Sequence, residues 1–318
     1  MNRRKITLYL LLSYGISWTL ALIAWIAGLK MDSTYGAILV GGLFMWGPAL
    51  AVFIIQKGIY KEPLANYGFS VKNFDYRFFF ASMLTPVAAI LIYFLVVFLL
   101  GNVAALPGFG HFSLSQDGIV NNIREMTAGM DETKQALAEA QVRSFPAWLF
   151  LVINIASGLV AGVTINLLFT FGEEFGWRGL LLQELKPLGF WKSNLLIGLV
   201  WGLWHAPLIV QGHNYPGYPV WGVIAMCFFC ISISFAIAYM GEKTRSILGA
   251  SAFHGVLNGI AGIGILVVGE ANPLVGGPAG VAMMISFLIV TVIIRWADPK
   301  YFGSPMNLPY VENISPDH

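Results

Sequence analysis

Charge is what this sequence has least of. Only 11% of its 318 residues are Asp, Glu, Lys or Arg, where a soluble globular chain carries about 25%. So few charges cannot cover a water-facing surface, which excludes a soluble fold. The net charge of +2 is too small to draw a nucleic acid. Cysteine is nearly absent as well. Cys227 and Cys230 form a C-x-x-C inside an apolar run, which reads as helix filler in lipid and not as a redox or metal pair, and it says nothing of the redox compartment. No internal repeat, low-complexity tract or second domain is visible, so one unit is expected over residues 1–295.

What the sequence has in excess is apolar residues, at 57%, with a mean hydropathy of +0.73. After Met1-Asn2-Arg3-Arg4-Lys5 the chain runs apolar from Ile6 to Leu29. That run is too long for a secretory signal and fits an uncleaved first span. Further apolar stretches cover Gly36–Ile55, Phe78–Leu100, Trp148–Thr170, Ser193–Ile209, Val220–Met240, Ile247–Val268 and Leu274–Ile294. Each is near the roughly 20 residues a helix needs to cross the hydrocarbon, so the fold class is all-α, a polytopic membrane bundle of about eight transmembrane helices.

Basic residues orient such a bundle. If the apolar stretches alternate across the bilayer, every Lys and Arg except Lys30, Arg124, Lys134 and Arg143 falls on the side of the termini. Both termini are therefore expected in the cytoplasm of a multi-pass cell-membrane protein. The polar insert 101–147 is then external. It carries Asp117, Glu125, Asp131, Glu132 and Glu139 against three basic residues. It reads as a solvated cap with one or two helices over 119–143, and a substrate-binding lid is the alternative. Residues 296–318, with Pro299, Pro305, Pro309 and Pro316, read as a loose cytoplasmic tail. The sequon letters at Asn313 should be silent there.

Ionisable groups inside a span are costly and mark function by default. Here they cluster. Phe171-Gly-Glu-Glu-Phe-Gly-Trp-Arg178 holds Glu173, Glu174 and Arg178; Trp201-Gly-Leu-Trp-His205 holds an imidazole; Phe253-His-Gly-Val-Leu-Asn258 holds His254 and Asn258. Counted from the nearest charged ends, Glu173, His205 and Asn258 lie about 18 Å inward at 1.5 Å per residue, so one level can hold them all. Trp148–Leu185 is too long for one straight span and must tilt, or break near Gly172 or Gly176. Glu174 and Arg178 stand at i and i+4 and can pair. That leaves Glu173, about 100° round the helix, free to face another partner. His254 and Asn258 share a helix face in the same way. A carboxylate base, two imidazoles and an amide around one cavity are the parts that hydrolyse an amide bond. Taken singly, each has a plainer reading, as interhelical donor or structural ion pair. His111, His213 and His318 carry no assignment.

E-E-x-x-x-R at 173–178, aromatic-x-x-x-H at 201–205 and H-x-x-x-N at 254–258, in that order, resemble the motifs of the CPBP family, the CAAX-protease and bacteriocin-processing enzymes also called Abi. The motif core spans about 148–270, and Trp201 stands where the family pattern usually has Phe. The resemblance implies an intramembrane endopeptidase with a cavity open to the cytosol. In it Glu173 would activate water with help from His205, His254 and Asn258 would form the oxyanion hole, and Glu174 with Arg178 would hold the helix. The implied partners are membrane lipid and a peptide or protein substrate, lipidated or not. The resemblance fixes no cofactor, and zinc is the candidate. Family members are often labelled metalloproteases, and Glu173, His205 and His254 would be the zinc ligands of a His₂Glu site with an open position. H-E-x-x-H is missing, and a metal-independent glutamate mechanism is favoured. The alternatives are a transporter or proton-coupled channel using the same Glu, His and Arg, or a non-catalytic scaffold or immunity protein. No inverted repeat supports the first, and the intact motif set argues against the second.

Overall fold

The structure is a computed structural model that describes residues 1–303, except 30–34, 37–38, 40–41, 69–70, 72 and 130, together with residue 306. Lys30, the prolines at 305, 309 and 316, the sequon at 313 and His318 lie outside the described residues. In chain order the elements are α1 (Arg3–Ile26), α2 (Gly47–Phe53, prolonged by a π-turn Ile54–Ile59), α3 (Tyr76–Val97), β1 (His111–Phe112), α4 (Gln116–Met126), α5 (Glu132–Arg143), α6 (Ala147–Val163), α7 (Ile165–Glu174), α8 (Phe190–Trp204), α9 (Ala206–Val210), α10 (Pro219–Thr244), α11 (Ile247–Val267), β2 (Val268–Gly269), α12 (Val281–Ala297) and α13 (Pro299–Gly303). The two short strands are antiparallel, with His111 opposite Gly269 and Phe112 opposite Val268.

This is a helical membrane bundle. Four helices among the described residues are long and apolar enough to cross hydrocarbon: Arg3–Ile26, Tyr76–Val103, Pro219–Thr244 and Ile247–Val267. Phe44–Ile59 and Val281–Ala297 are shorter apolar helices. The surface is inverted relative to a soluble protein, since Leu91, Leu95, Val160, Leu168 and Val292 are all exposed. Trp25, Trp148 and Trp221 are exposed near one end of the bundle and Trp296 near the other, the placement of an aromatic belt. Polar caps start the helices at the bundle ends: Asn2 accepts from the Lys5 amide, Asp75 from Arg77 and Phe78, and Ser246 from Leu248. Each satisfies a backbone donor that the helix leaves open.

The long stretch 148–185 breaks at Thr164, where φ is −118° and ψ −98°, and not near Gly172 or Gly176. Those two glycines serve close packing instead. A Cβ on Gly172 would lie 2.6 Å from the Met45 carbonyl oxygen, and one on Gly176 2.6 Å from the Pro48 side chain. Beyond Glu174 the helix continues through a wide π-turn, Phe175–Leu181, to Leu185.

Backbone contact fixes α6 against α11. A Cβ on Gly158 would fall 2.8 Å from the Gly259 carbonyl oxygen, and one on Gly162 2.5 Å from the Val256 Cα. Past the break, the Asn166 side chain donates to the Gly255 carbonyl at 3.1 Å and the Thr170 hydroxyl to the Ser251 carbonyl at 2.8 Å. These bonds pin α7 to α11 and bring Glu174 level with His254.

The two faces of the bundle differ. The face with the N-terminus holds Lys5, whose ammonium donates to Glu62 at 2.9 Å and to the Tyr67 hydroxyl at 3.1 Å and lies 3.8 Å from Glu184. Lys243 pairs with Asp298 at 2.8 Å on the same face. The region expected to be loose from residue 296 is ordered as far as Gly303. Tyr301 and Phe302 pack on Phe190, Trp191 and Tyr239, so aromatic burial holds it. On the opposite face lie the 211–218 and 268–280 loops and the insert. The insert departs from a solvated cap: α4 buries Ile119, Val120 and Ile123, and Asn122 donates to the Leu266 carbonyl at 2.9 Å. From α5 the chain turns by 106° into α6.

Candidate active site

Glu173, Glu174, Arg178 and His254 are buried. Oε1 of Glu174 accepts from Arg178 Nη1 at 3.0 Å and from His254 Nδ1 at 2.9 Å. One carboxylate oxygen therefore joins the predicted i, i+4 pair to a third residue on another helix. Arg178 is held further by Ser234, which accepts from Nη2 at 3.0 Å, and by the Trp201 ring, 4.3 Å from its guanidinium carbon. The carboxylate, the hydroxyl and the aromatic face offset part of the cost of leaving water, while Arg178 Nε is buried with no partner among the described residues. With Nδ1–H committed to Glu174, the imidazole of His254 has only Nε2 left for the cavity.

Glu173 is not free. The indole Nε1–H of Trp201 donates to its Oε2 at 2.6 Å. Trp201 also stands edge-on to His254, with ring centroids 5.3 Å apart at 74°. His205 Nδ1 lies 2.9 Å from the Trp201 carbonyl oxygen. A carbonyl only accepts, so this nitrogen carries the proton and Nε2 holds a lone pair. Asn258, one turn beyond His254, is exposed to the cavity and makes no hydrogen bond among the described residues.

One cavity of about 420 Å³ brings Glu173, Trp201, His205, His254 and Asn258 together. Glu174 and Arg178 stand behind it and do not line it. All six candidates thus share one locus, four at the wall and two in support. Trp201 and Ser234 are the residues that sequence reasoning missed. Trp201 carried a signal, since Trp in place of Phe adds an N–H; Ser234 carried none. His213 and Asn214 join the wall from the 211–218 loop, and burial pushes the His213 imidazole below its ordinary value. A larger apolar groove of about 930 Å³, between α1 and α9, has no charged side chain and suits hydrocarbon.

The cavity reaches away from the face with the termini. Its lining reaches Asn214, Ile265, Pro278 and Ala279, on the face opposite the termini, and includes no residue from 62–77, 184–192 or 242–246. Counting residues from charged ends measures depth, but not the direction in which the void opens.

Zinc is not supported. Among the described residues no group of three or more His, Cys, Asp or Glu side chains is arranged to hold a metal ion. Glu173, His205 and His254 share the cavity without converging as a ligand set.

Residues 145–260, which contain all six candidates, match the family model described as type II CAAX prenyl endopeptidase Rce1-like. The likeness to CAAX proteases is thus confined to residues 145–260. The chain is also similar to CAAX prenyl protease 2 of Methanococcus maripaludis, 29% identical over 111 residues, which are 33% of this chain. The match spans 41% of that relative's length. The matched segment starts at the end of the insert and closes within α11, so residues 1–144 lie outside it.

Proposed function

We propose that the chain is an intramembrane endopeptidase working by a glutamate-activated water. The observation that carries this reading is the tethering of Glu173, His205 and His254, each through an atom it does not need for chemistry. Glu173 is held through one carboxylate oxygen, and both imidazoles are held through Nδ1. Rigid placement of reacting groups lowers the cost of reaching the transition state.

In the proposed reaction Glu173 takes a proton from water as the water oxygen attacks the carbonyl carbon of a peptide bond. The carbonyl π electrons move to oxygen. Asn258 Nδ2–H and His254 Nε2–H donate to that oxyanion, with Glu174 holding the imidazole through Nδ1. The oxyanion then collapses, the C–N bond breaks, and Glu173 returns its proton to the leaving nitrogen. His205 Nε2, an acceptor, assists by orienting the water. The substrate is a peptide or protein. The name of the Methanococcus relative suggests a prenylated one. If the apolar stretches alternate across the bilayer, most Lys and Arg of the connecting segments fall on the side of the termini, so both termini are proposed to be cytoplasmic. The cavity then opens outward. The test in cells is proteomics of protein termini with parental protein and with Glu173→Gln: termini that disappear with the variant name the substrate, and an unchanged set counts against a protease.

A further inference from the structure

The insert does more than cover the bundle. β1 pairs with β2, and Asn122 bonds to the carbonyl of Leu266, so α4 is docked against the end of α11. Arg124 meets Glu139 within the insert in a two-point bridge at 2.6 and 2.7 Å. That bridge ties α4 to α5. Between α4 and the loops lies a second cavity of about 270 Å³, with Asn122, Glu125 and Met126 on its insert side. It shares Asn214, Ile265 and Pro278 with the cavity that holds Glu173. The two voids abut at these residues, on the bundle face opposite the termini.

Amide side chains mark the way between them. Asn122 stands in the outer void, Asn214 in both and Asn258 in the inner one. Asn214 has φ of +60° and is exposed. An amide side chain both donates and accepts, and it answers the N–H and C=O groups that a polypeptide presents in turn. From Ile265 to His254 is eleven residues of α11, about 16 Å of helix. That length takes about five residues of extended chain at roughly 3.3 Å each.

We infer that segment 101–147 forms one wall of an access vestibule, through which an extended polypeptide segment enters from the face opposite the termini and runs past Asn214 to Glu173. The inference rests on the peptidase reading for its substrate class, while the vestibule itself rests on the two abutting cavities.

The test uses the full chain carrying Cys227→Ala and Cys230→Ala, with Glu125→Cys at the vestibule or Glu132→Cys, exposed on the insert away from it. Each is coupled to a bulky polyethylene-glycol maleimide. The probe is fluorescein-labelled casein, an unfolded polypeptide. Cleavage is followed in these variants, and binding by anisotropy in versions that also carry Glu173→Gln. Coupling at 125 should weaken binding and cleavage by at least about tenfold, equivalent to about 1.4 kcal/mol, while coupling at 132 leaves both as in the uncoupled chain. Equal effects at both positions, or none at 125, would overturn the vestibule. Binding that is blocked at 125 in a chain that never cleaves would keep the vestibule and sink the peptidase reading. Casein that neither binds nor is cleaved in any variant counts against the vestibule.

Discussion

The indole N–H of Trp201 meets Oε2 of Glu173 at 2.6 Å, across 28 positions of sequence. A buried carboxylate with a fixed donor on one oxygen presents its other oxygen in a fixed direction. Trp201→Phe keeps the ring that packs on Arg178 and His254 and removes only this donor. Hydrogen bonds to charged groups are worth about 1.5–3 kcal/mol, so kcat should fall by about 10- to 100-fold. KM and the melting temperature should stay near parental values. Parental kcat in the purified variant would show that Glu173 needs no such anchor.

Glu174 and Arg178 should behave as a unit. Glu174→Gln leaves Arg178 without its counter-charge and weakens the hold on His254 Nδ1. Breaking a buried pair costs about 3–5 kcal/mol. Thermal denaturation should show a clear loss of stability for Glu174→Gln and a similar one for Arg178→Ala. The double variant should lose less than the sum. Additive losses would mean that the two residues are not energetically coupled.

Asn258 is the opposite case, since its side chain faces the cavity and bonds to nothing among the described residues. Removing one oxyanion donor typically costs about 10²–10³ in rate. Asn258→Ala should lose about that much kcat with an unchanged melting temperature. A fall in stability matching the fall in activity would make Asn258 a packing residue instead.

What lies along one helix is legible in this sequence; what lies between helices is not. The i, i+4 spacing announces the Glu174–Arg178 pair, found at 3.0 Å. Nothing announces that the same oxygen reaches His254, 80 positions away. That contact depends on the glycine-mediated approach of α6 to α11 and on the break at Thr164. Apolar runs likewise reveal the helices but not where a cavity opens, because the mouth is set by loops such as 211–218, whose polar residues look like ordinary connections.

The orientation follows from charge and is tested by labelling. A cysteine at Ala65, on the face with the N-terminus, and one at Glu132, on the insert, are both exposed positions. In intact cells an impermeant thiol reagent should label position 132 and spare position 65. The reverse pattern would invert the bundle, and with it the side on which the cavity opens.

Glu173 carries the central claim. Glu173→Gln keeps the size of the side chain and a carbonyl oxygen able to accept from Trp201, and it removes the base. General bases typically contribute about 10²–10⁴ in rate. The direct measurement is turnover of a reporter peptide, prenylated and unprenylated, by purified parental and Glu173→Gln protein, with and without chelator, alongside the melting temperature of each. The glutamate mechanism predicts a variant as stable as the parent with cleavage lost, and parental cleavage unaffected by chelator. A stable Glu173→Gln that still cleaves, or parental activity lost to chelator and restored by zinc, would contradict it.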